Sequence, residues 1–374
     1  MTFRPSVILA PQTVTAEIGL EPVINFLNNA AGIAFHDMNY GVDEWVGQTA
    51  LSLPPEVLHR SRVIFGGLPG LIPIICRVRF DSIPEYLDWL ASLDPVQLRD
   101  ESIEHFRTEA ANMAKEAGLR LEIPPADQLL ADVNASLNLM EELYKAKKIQ
   151  DTHVEFPELV IEGHMLLNDP SVLQHQLVDL LRYLWDHVLA ADWEHHLPIL
   201  QESVDAFRQV DLRGMTGFEA IRAVTGRDMR GIMVDELDNI DHLIFVPGAH
   251  LGPYLAHYVD GRKMWIVFPA RVPEGVKPRS PEITRSELFV RVSALADDTR
   301  LRILELLTKH DELCAQDIIT MLDLSQSAAS RHLRQLSATG YLTERRLDGN
   351  KCYRLNPERI EGTLSALSNF LLKR

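Results

Sequence analysis

The sequence predicts a mainly α, α+β protein in two parts. A helical N-terminal domain with a small antiparallel sheet is followed by a winged helix-turn-helix domain. Three observations lead to this fold class. Apolar residues at helical spacing dominate residues 20–224. Strand-like alternation replaces that spacing over 242–270. A helix, a tight turn, a second helix and a basic hairpin then follow in order over 313–356.

The N-terminal helices are predicted from their apolar spacing and from their starts. Several begin on a proline, which is favoured in the first turn of a helix, or follow a Ser or Asp that can cap one. The predicted helices span 20–31, 42–53, 55–65, 83–93, 95–117, 125–148, 157–168, 171–191, 193–209 and 217–224.

The sheet and the domain boundary follow. Residues 242–248 and 253–270 alternate around Asp260-Gly261, which predicts an antiparallel hairpin. Residues 271–286 hold three prolines and a glycine and few apolar residues, which indicates a linker. We therefore expect an N-terminal domain over 1–270 and a C-terminal domain over 287–374.

The helix predicted from Ser325 to Ala338, the second helix of the helix-turn-helix, is expected to read DNA. Ser325 is placed to cap it, and Ala329, Leu333 and Leu336 form one apolar stripe. The opposite face offers hydrogen-bonding groups for base edges and positive charge for phosphates, without any acid. This face carries Gln326, Ser327, Ser330, Arg331, Arg334 and Gln335.

A basic hairpin completes the motif. Gly340 stands where a left-handed helix C-cap is needed. Strands at 341–346 and 351–355 flank Asp348-Gly349, a strong hairpin-turn signal. The hairpin is positively charged through Arg345, Arg346, Lys351 and Arg354. The order of these elements predicts binding to double-stranded DNA.

The net charge of −16 is unevenly distributed. Residues 285–374 hold 14 Lys/Arg and 12 Asp/Glu, whereas 1–284 hold 23 and 41. Residues 325–354 contain six basic and two acidic residues. Positive charge is therefore concentrated at the predicted DNA-binding segment, and a second DNA-binding surface upstream is not expected.

Four segments resemble the ArsR-type winged-helix repressors: 296–307, 312–318, 324–342 and 344–356. The resemblance implies a homodimeric repressor that leaves an inverted-repeat operator when a signal arrives. It implies major-groove contacts from one helix and backbone or minor-groove contacts from the hairpin. For His332, packing and DNA contact remain alternatives. Carried over by position, the helix contacts are Ser325, Gln326, Ser327, Ser330, Arg331 and His332.

The sequence departs from that family at its metal sites. The thiolate site needs two cysteines one residue apart, but Cys314 is followed by Gln316 at that spacing. The family's other site needs histidines on the last helix, which offers only Glu358 and Glu361. No metal or other cofactor is therefore expected in this domain. Cys76, Cys314 and Cys352 are expected to be unpaired thiols.

The upstream region carries no recognisable catalytic motif, so we do not expect an enzyme. Its histidines do not form a metal-ligand pattern in sequence, because His195 and His196 are adjacent and point about 100° apart on a helix. Glu158, Glu162 and His164 give only a partial set. Segments 45–57, 193–200 and 242–271 resemble a poorly characterised region found before ArsR-type domains in some long regulators.

Together these observations predict a cytoplasmic transcriptional regulator, a repressor that works as a homodimer. Dimer contacts are expected from 286–295 and from a stripe on the last helix. The N-terminal domain is expected to sense a small molecule or to mediate dimerisation, and a protein-interaction module is the alternative. We expect no signal peptide or membrane span, because the longest apolar stretch, 66–76, is short and broken by Pro and Gly. The last-helix stripe comprises Ile360, Leu364, Leu367 and Leu371.

Overall fold

The computed structural model describes most of the chain. The described residues are 13–38, 43–146, 156–227, 229, 237, 239–252, 254–273, 285–347 and 350–372. Across these ranges, none of the helices combines the length and the apolar character that a membrane span would need.

Helices make up most of the upstream region, as predicted. They are α1 (Pro22–Ala34), α2 (Glu44–Ser52), α3 (Pro55–Gly66), α4 (Leu71–Cys76), α5 (Ile83–Ser92), α6 (Pro95–Glu116), α7 (Ala126–Ala131), α8 (Val133–Ala146), α9 (Phe156–Leu167), α10 (Pro170–Leu184), α11 (Ala190–Phe207) and α12 (Gly217–Thr225).

Three details differ from the predicted helices. Helix α4 was not predicted. The single helix expected over 125–148 is divided between α7 and α8, because Asp132 leaves the helical conformation. The two helices expected over 171–209 are continuous instead. A five-residue π-helix, Trp185–Leu189, joins α10 to α11. Such insertions are frequent at functional sites.

The upstream sheet has four strands: β1 (Thr15–Ile18), β2 (His242–Gly248), β3 (Ala256–Asp260) and β4 (Lys263–Pro269). Their order is β1-β2-β4-β3. The predicted hairpin joins β3 and β4 in antiparallel pairing. The other two pairings, β1 with β2 and β2 with β4, are parallel. The sheet is therefore mixed rather than antiparallel throughout.

Burial explains the parallel pairings. In β2, Ile244 packs into one core and Phe245 into a second core on the other side of the sheet. In β4, Trp265 packs into the first of these cores and Ile266 into the second. Parallel strands are found almost only where both faces are covered, and helices cover both faces here.

One helix contact is close at the backbone. A Cβ added to Gly163 of α9 would collide with the backbone of Gly67, the residue after α3. A Cβ added to Gly67 would collide in turn with the backbone of Leu159. The absence of side chains at Gly67 and Gly163 therefore sets the separation of α3 and α9.

The C-terminal part has the predicted winged helix-turn-helix order. Its elements are α13 (Arg285–Leu295), α14 (Asp298–Thr308), β5 (Leu313–Cys314), α15 (Ala315–Leu322), α16 (Gln326–Ala338), β6 (Leu342–Leu347), β7 (Asn350–Leu355) and α17 (Pro357–Leu372).

This part has its own core, built around Ile303, Ile318, Leu333 and Tyr341. Its sheet has the order β5-β7-β6, and both pairings are antiparallel. Strand β5 adds a third strand to the predicted hairpin. The turn predicted at Asp348-Gly349 lies outside the described residues, as does 274–284 of the predicted linker.

Candidate nucleic-acid interface

Helix α16 begins at a side-chain cap and buries one stripe. Ser325 Oγ accepts a hydrogen bond from the backbone N–H of Ala328 at 3.2 Å. This satisfies a donor that the helix itself leaves unpaired. Ala329, Leu333 and Leu336 are buried, as their spacing predicted, and Leu333 and Leu336 pack with residues of α14 and α15. Gly340 follows the helix with a φ of 80°, the left-handed conformation predicted for a C-cap.

The opposite face of α16 brings together most of the predicted DNA contacts. Gln326, Ser327, Arg331 and Arg334 are exposed, and Ser330 is half-buried among them. The first two turns therefore present an amide and two hydroxyls, and cationic side chains extend along the same helix. Amides and hydroxyls can bond base edges, and guanidinium groups can bond bases or phosphates.

Two of the predicted contacts, His332 and Gln335, have partners within the protein. His332 is mostly buried, and its Nδ1 lies 3.5 Å from Asp297 Oδ1. Burial lowers the pKa of His332, which favours a neutral imidazole. Gln335 Oε1 accepts a hydrogen bond from Arg300 Nη1 at 2.6 Å. Of the two alternatives for His332, this geometry favours packing.

The hairpin of β6 and β7 has part of its charge compensated. Arg345 donates through Nε and Nη2 to both carboxylate oxygens of Glu312. That hydrogen-bonded guanidinium lowers the pKa of Glu312. Lys351 Nζ lies 3.1 Å from Glu344 Oε1. The side chain of Arg346 lies outside the described residues. To bind a phosphate, the Arg345 guanidinium must therefore break its hydrogen bonds with Glu312 or keep only one of them.

Cys314 and Cys352 are joined by a disulfide. The expectation that all three cysteines are unpaired is wrong, and so is the premise that Cys314 stands alone. The two residues face each other in the β5–β7 pairing although 38 positions separate them in the chain. Cys76 is a free, buried thiol, and burial raises its pKa to about 12.

The upstream region contacts the end of α16. Arg227, two residues after α12, donates from Nη2 to the backbone carbonyl of Ala338 at 2.6 Å. Tyr341 Oη donates to the carbonyl of Arg291 in α13 at 2.9 Å. The C-terminal end of the candidate reading helix is thus held by residues from two other parts of the chain.

Most of the upstream histidines considered from the sequence do not converge. His187 stacks on Tyr183, with ring centroids 4.2 Å apart. His164 Nε2 lies 3.1 Å from the carbonyl of Leu129, and Glu162 pairs with His59. His195 is exposed.

His196 is the exception. Its Nδ1 lies 3.1 Å from Asp192 Oδ1, and His250 Nε2 lies 2.9 Å from the same oxygen. The nearby Asp43 has an Oδ2 atom 3.3 Å from His250 Nδ1. Sequence reasoning missed this group, although Asp192 and His196 stand at i, i+4, the spacing that places two side chains on one helix face.

Hydrogen bonds between the carboxylates and the imidazoles shift the pKa values of His250, Asp192 and Asp43. Burial disfavours a charged imidazole, but hydrogen bonds to Asp192 and Asp43 outweigh it and raise the pKa of His250. Burial likewise opposes ionisation of Asp192, but hydrogen bonds from His196 and His250 lower its pKa to about 2. A hydrogen bond from His250 lowers the pKa of Asp43.

A protein-family model matches the winged-helix part of the chain. The profile described as "Bacterial regulatory protein, arsR family" matches residues 297–344. This range contains α14, α15 and the whole of α16, and it ends in β6.

Three curated relatives are similar over this part. The chain is 47% identical over 64 residues to the arsenic resistance transcriptional regulator ArsR1 of Pseudomonas putida, covering 17% of this chain and 50% of that protein. It is 48% identical over 63 residues to the arsenical resistance operon repressor of Escherichia coli, covering 17% and 54%. It is 38% identical over 96 residues to ArsR2 of Pseudomonas putida, covering 24% and 81%. The chain thus spans about half the length of the first two relatives.

Among solved structures, the AntR antimony-specific transcriptional repressor is similar at 24% identity. The comparison covers 28% of this chain and 96% of that one, with a TM-score of 0.20.

Proposed function

Because the chain belongs to the arsR family of bacterial regulatory proteins, we propose that it is a sequence-specific DNA-binding transcriptional regulator that represses its targets in the cytoplasm. The observation that carries this proposal is the exposed face of α16, which offers Gln326, Ser327 and Arg331 without any acid. A relative named as an operon repressor supports repression.

The active form is a homodimer on an inverted-repeat operator. Helices α13 and α17 contact each other, and both expose large apolar side chains. Phe289 is 64% exposed, Leu364 53% and Leu371 66%. Exposed apolar side chains of this size mark association surfaces when they adjoin. A two-fold dimer through these helices would present two copies of α16 to two half-sites.

The upstream region acts as a sensor in this proposal. A cavity of about 120 Å³ lies beside His196 and His250 and is also lined by Val290 of α13. A small molecule bound in this cavity would contact α13, the first helix of the winged-helix part, through Val290. This favours sensing over the alternative of a protein-interaction module, and it involves no catalytic step.

Selection of bound genomic DNA fragments by the purified chain tests the proposal. We expect enrichment of an inverted repeat whose half-sites are about ten base pairs apart, or a multiple of that. Arg331→Ala should weaken binding to the enriched site, whereas Arg213→Ala, at a 91% exposed upstream side chain, should not. Recovery of fragments without a shared sequence would contradict the proposal.

A further inference from the structure

His250 lies where α2, α11 and the loop after β2 meet. Asp192 and His196 are one turn apart on α11, so both side chains face the same side of that helix. The loop after β2 places His250 against this side of α11. The rings of His196 and His250 pack edge to face, with centroids 4.6 Å apart. One carboxylate oxygen and two imidazole nitrogens, one from each residue, lie within 4.8 Å of one another.

The backbone at His250 is held in an uncommon conformation. Its φ is 31°, in the left-handed region that non-glycine residues seldom adopt. Such a conformation is strained and persists only where its surroundings hold it, often at ligand sites. Here the side chain is 3% exposed and stacks on Trp45, with ring centroids 4.0 Å apart and planes 15° apart.

Asp43 orients the imidazole from behind. The carboxylate of Asp43 caps α2 by accepting from Trp45 N at 3.0 Å, which fixes its own position. Its other oxygen faces His250 Nδ1, so a proton on Nδ1 is directed to Asp43. Loss of the Nε2 proton then leaves a lone pair directed at Asp192. A carboxylate behind a histidine in this way is the usual outer support of a metal ligand.

We propose that Asp192, His196 and His250 bind a divalent first-row transition metal ion, with Zn²⁺ as the best match, and that Asp43 positions His250. Imidazole nitrogens together with a carboxylate oxygen are a ligand set that suits Zn²⁺. Hard ions such as Mg²⁺ and Ca²⁺ prefer oxygen ligands alone, so two imidazoles select against them.

The observed separations are close to those of a bound ion. Bonds of about 2.0–2.2 Å in a tetrahedral site place ligand atoms about 3.3 Å apart. The contacts of Asp192 with His250 and His196 are 2.9 and 3.1 Å. These two contacts therefore need to lengthen by only a few tenths of an ångström, and the two imidazole nitrogens lie within 4.8 Å of each other. Coordination would replace these hydrogen bonds and the one between His196 Nδ1 and the carbonyl of Asp192.

The site opens onto the cavity described above. Beside His196 and His250 the cavity walls are apolar, with Ile199, Leu251 and Val290 among them. Three protein ligands leave a fourth position for water or a small anion on that side. This proposal concerns metal binding alone and does not depend on DNA.

Titration of Zn²⁺ into the full chain tests it. The chain should carry no polyhistidine tag and should first be stripped with a chelator. We expect one Zn²⁺ per chain by calorimetry and elemental analysis, and a higher midpoint of thermal unfolding when Zn²⁺ is present. His196→Ala and His250→Ala should each weaken binding by more than about 100-fold, the upper end of the effect of losing an outer support.

Two further variants keep the test decisive. His195→Ala removes an exposed neighbour of His196 and should bind Zn²⁺ as the unchanged chain does. Asp43→Asn keeps a good helix cap and all three ligands, and should weaken binding about 10–100-fold. It decides the matter if His250→Ala does not fold. Zn²⁺ binding that is absent from the unchanged chain, or that survives Asp43→Asn and His196→Ala undiminished, would overturn the proposal.

Discussion

Arg227 and Ala338 join the upstream region to the candidate reading helix, through a hydrogen bond of 2.6 Å from a guanidinium to a main-chain carbonyl. Ala338 is the last residue of α16, where helical carbonyls lack partners within the helix. A cation at this end is also favoured by the helix dipole. Movements of the upstream region can therefore reach α16 without passing through the linker.

Arg227→Ala should lower the free energy of unfolding by about 1.5–3 kcal/mol, the range for a hydrogen bond with a charged partner. Urea unfolding measures this change. Arg213→Ala serves as the control, because exposed surface changes stay within about 0.5 kcal/mol. Equal stabilities for the two variants would argue against a role for the Arg227–Ala338 contact.

DNA affinity should depend strongly on salt. If each protomer of a dimer places about four cations on phosphates, the slope of log K against log salt is about −7. Glu312→Gln should release Arg345 and steepen the slope by about 2, one further phosphate contact in each protomer. The control is Glu101→Gln, which breaks a similar pair with Arg77 in the upstream region. An unchanged slope in Glu312→Gln would place Arg345 away from DNA.

Gln326→Ala should separate specificity from affinity. Gln326 is exposed in the first turn of α16, the part that reaches deepest into a major groove. Its loss should cost about 1–3 kcal/mol on the operator and almost nothing on random DNA. Gln335→Ala is the matched control, since its amide is held by Arg300. Equal losses on both DNAs would remove α16 from the role of reader.

Cys352→Ser should destabilise the oxidised protein by about 3–4 kcal/mol, because the disulfide closes a segment of 38 residues and restricts the unfolded chain. The measurement is urea unfolding with and without a thiol reductant. In reductant the difference from the unchanged chain should largely disappear. If the unchanged chain has the same free energy of unfolding with and without reductant, the disulfide is contradicted.

Gly163→Ala should destabilise the upstream region by at least about 1–3 kcal/mol, the cost of overfilling a packed site. Thermal unfolding provides the measurement. Gly47→Ala is the control, because a Cβ at Gly47 in α2 would meet no atom within 4 Å. That change should instead stabilise by up to about 1 kcal/mol, since alanine favours helix over glycine. Similar effects of both changes would exclude the Gly67–Gly163 contact as their cause.

Local signals account for what the sequence predicted well. The cap at Ser325, the stripe through Leu333 and the left-handed Gly340 all act over a few residues, and the structure contains each of them. The mixed sheet required knowledge of which strand lies beside which. The continuous apolar run of β2, buried over six of its seven residues, was nevertheless a visible sign of coverage on both faces.

The missed features join residues that are distant in the chain. Cys314 and Cys352 are 38 positions apart. His250 lies 58 positions from Asp192 and 207 from Asp43. Only the pairing of β5 with β7, and the loop after β2, bring these side chains together. Spacing alone therefore could not find either group, apart from the i, i+4 relation of Asp192 and His196.

The contact between Gly67 and Gly163 has a consequence for tracing this architecture through evolution. Either glycine alone could be replaced only if α3 and α9 moved apart, and such a movement would open the core beneath them. Long regulators that share this helical layer should therefore keep both glycines, or lose both together with a change in the helix pair. These two positions, 96 residues apart, would identify distant relatives of the upstream region even where the surrounding side chains have diverged.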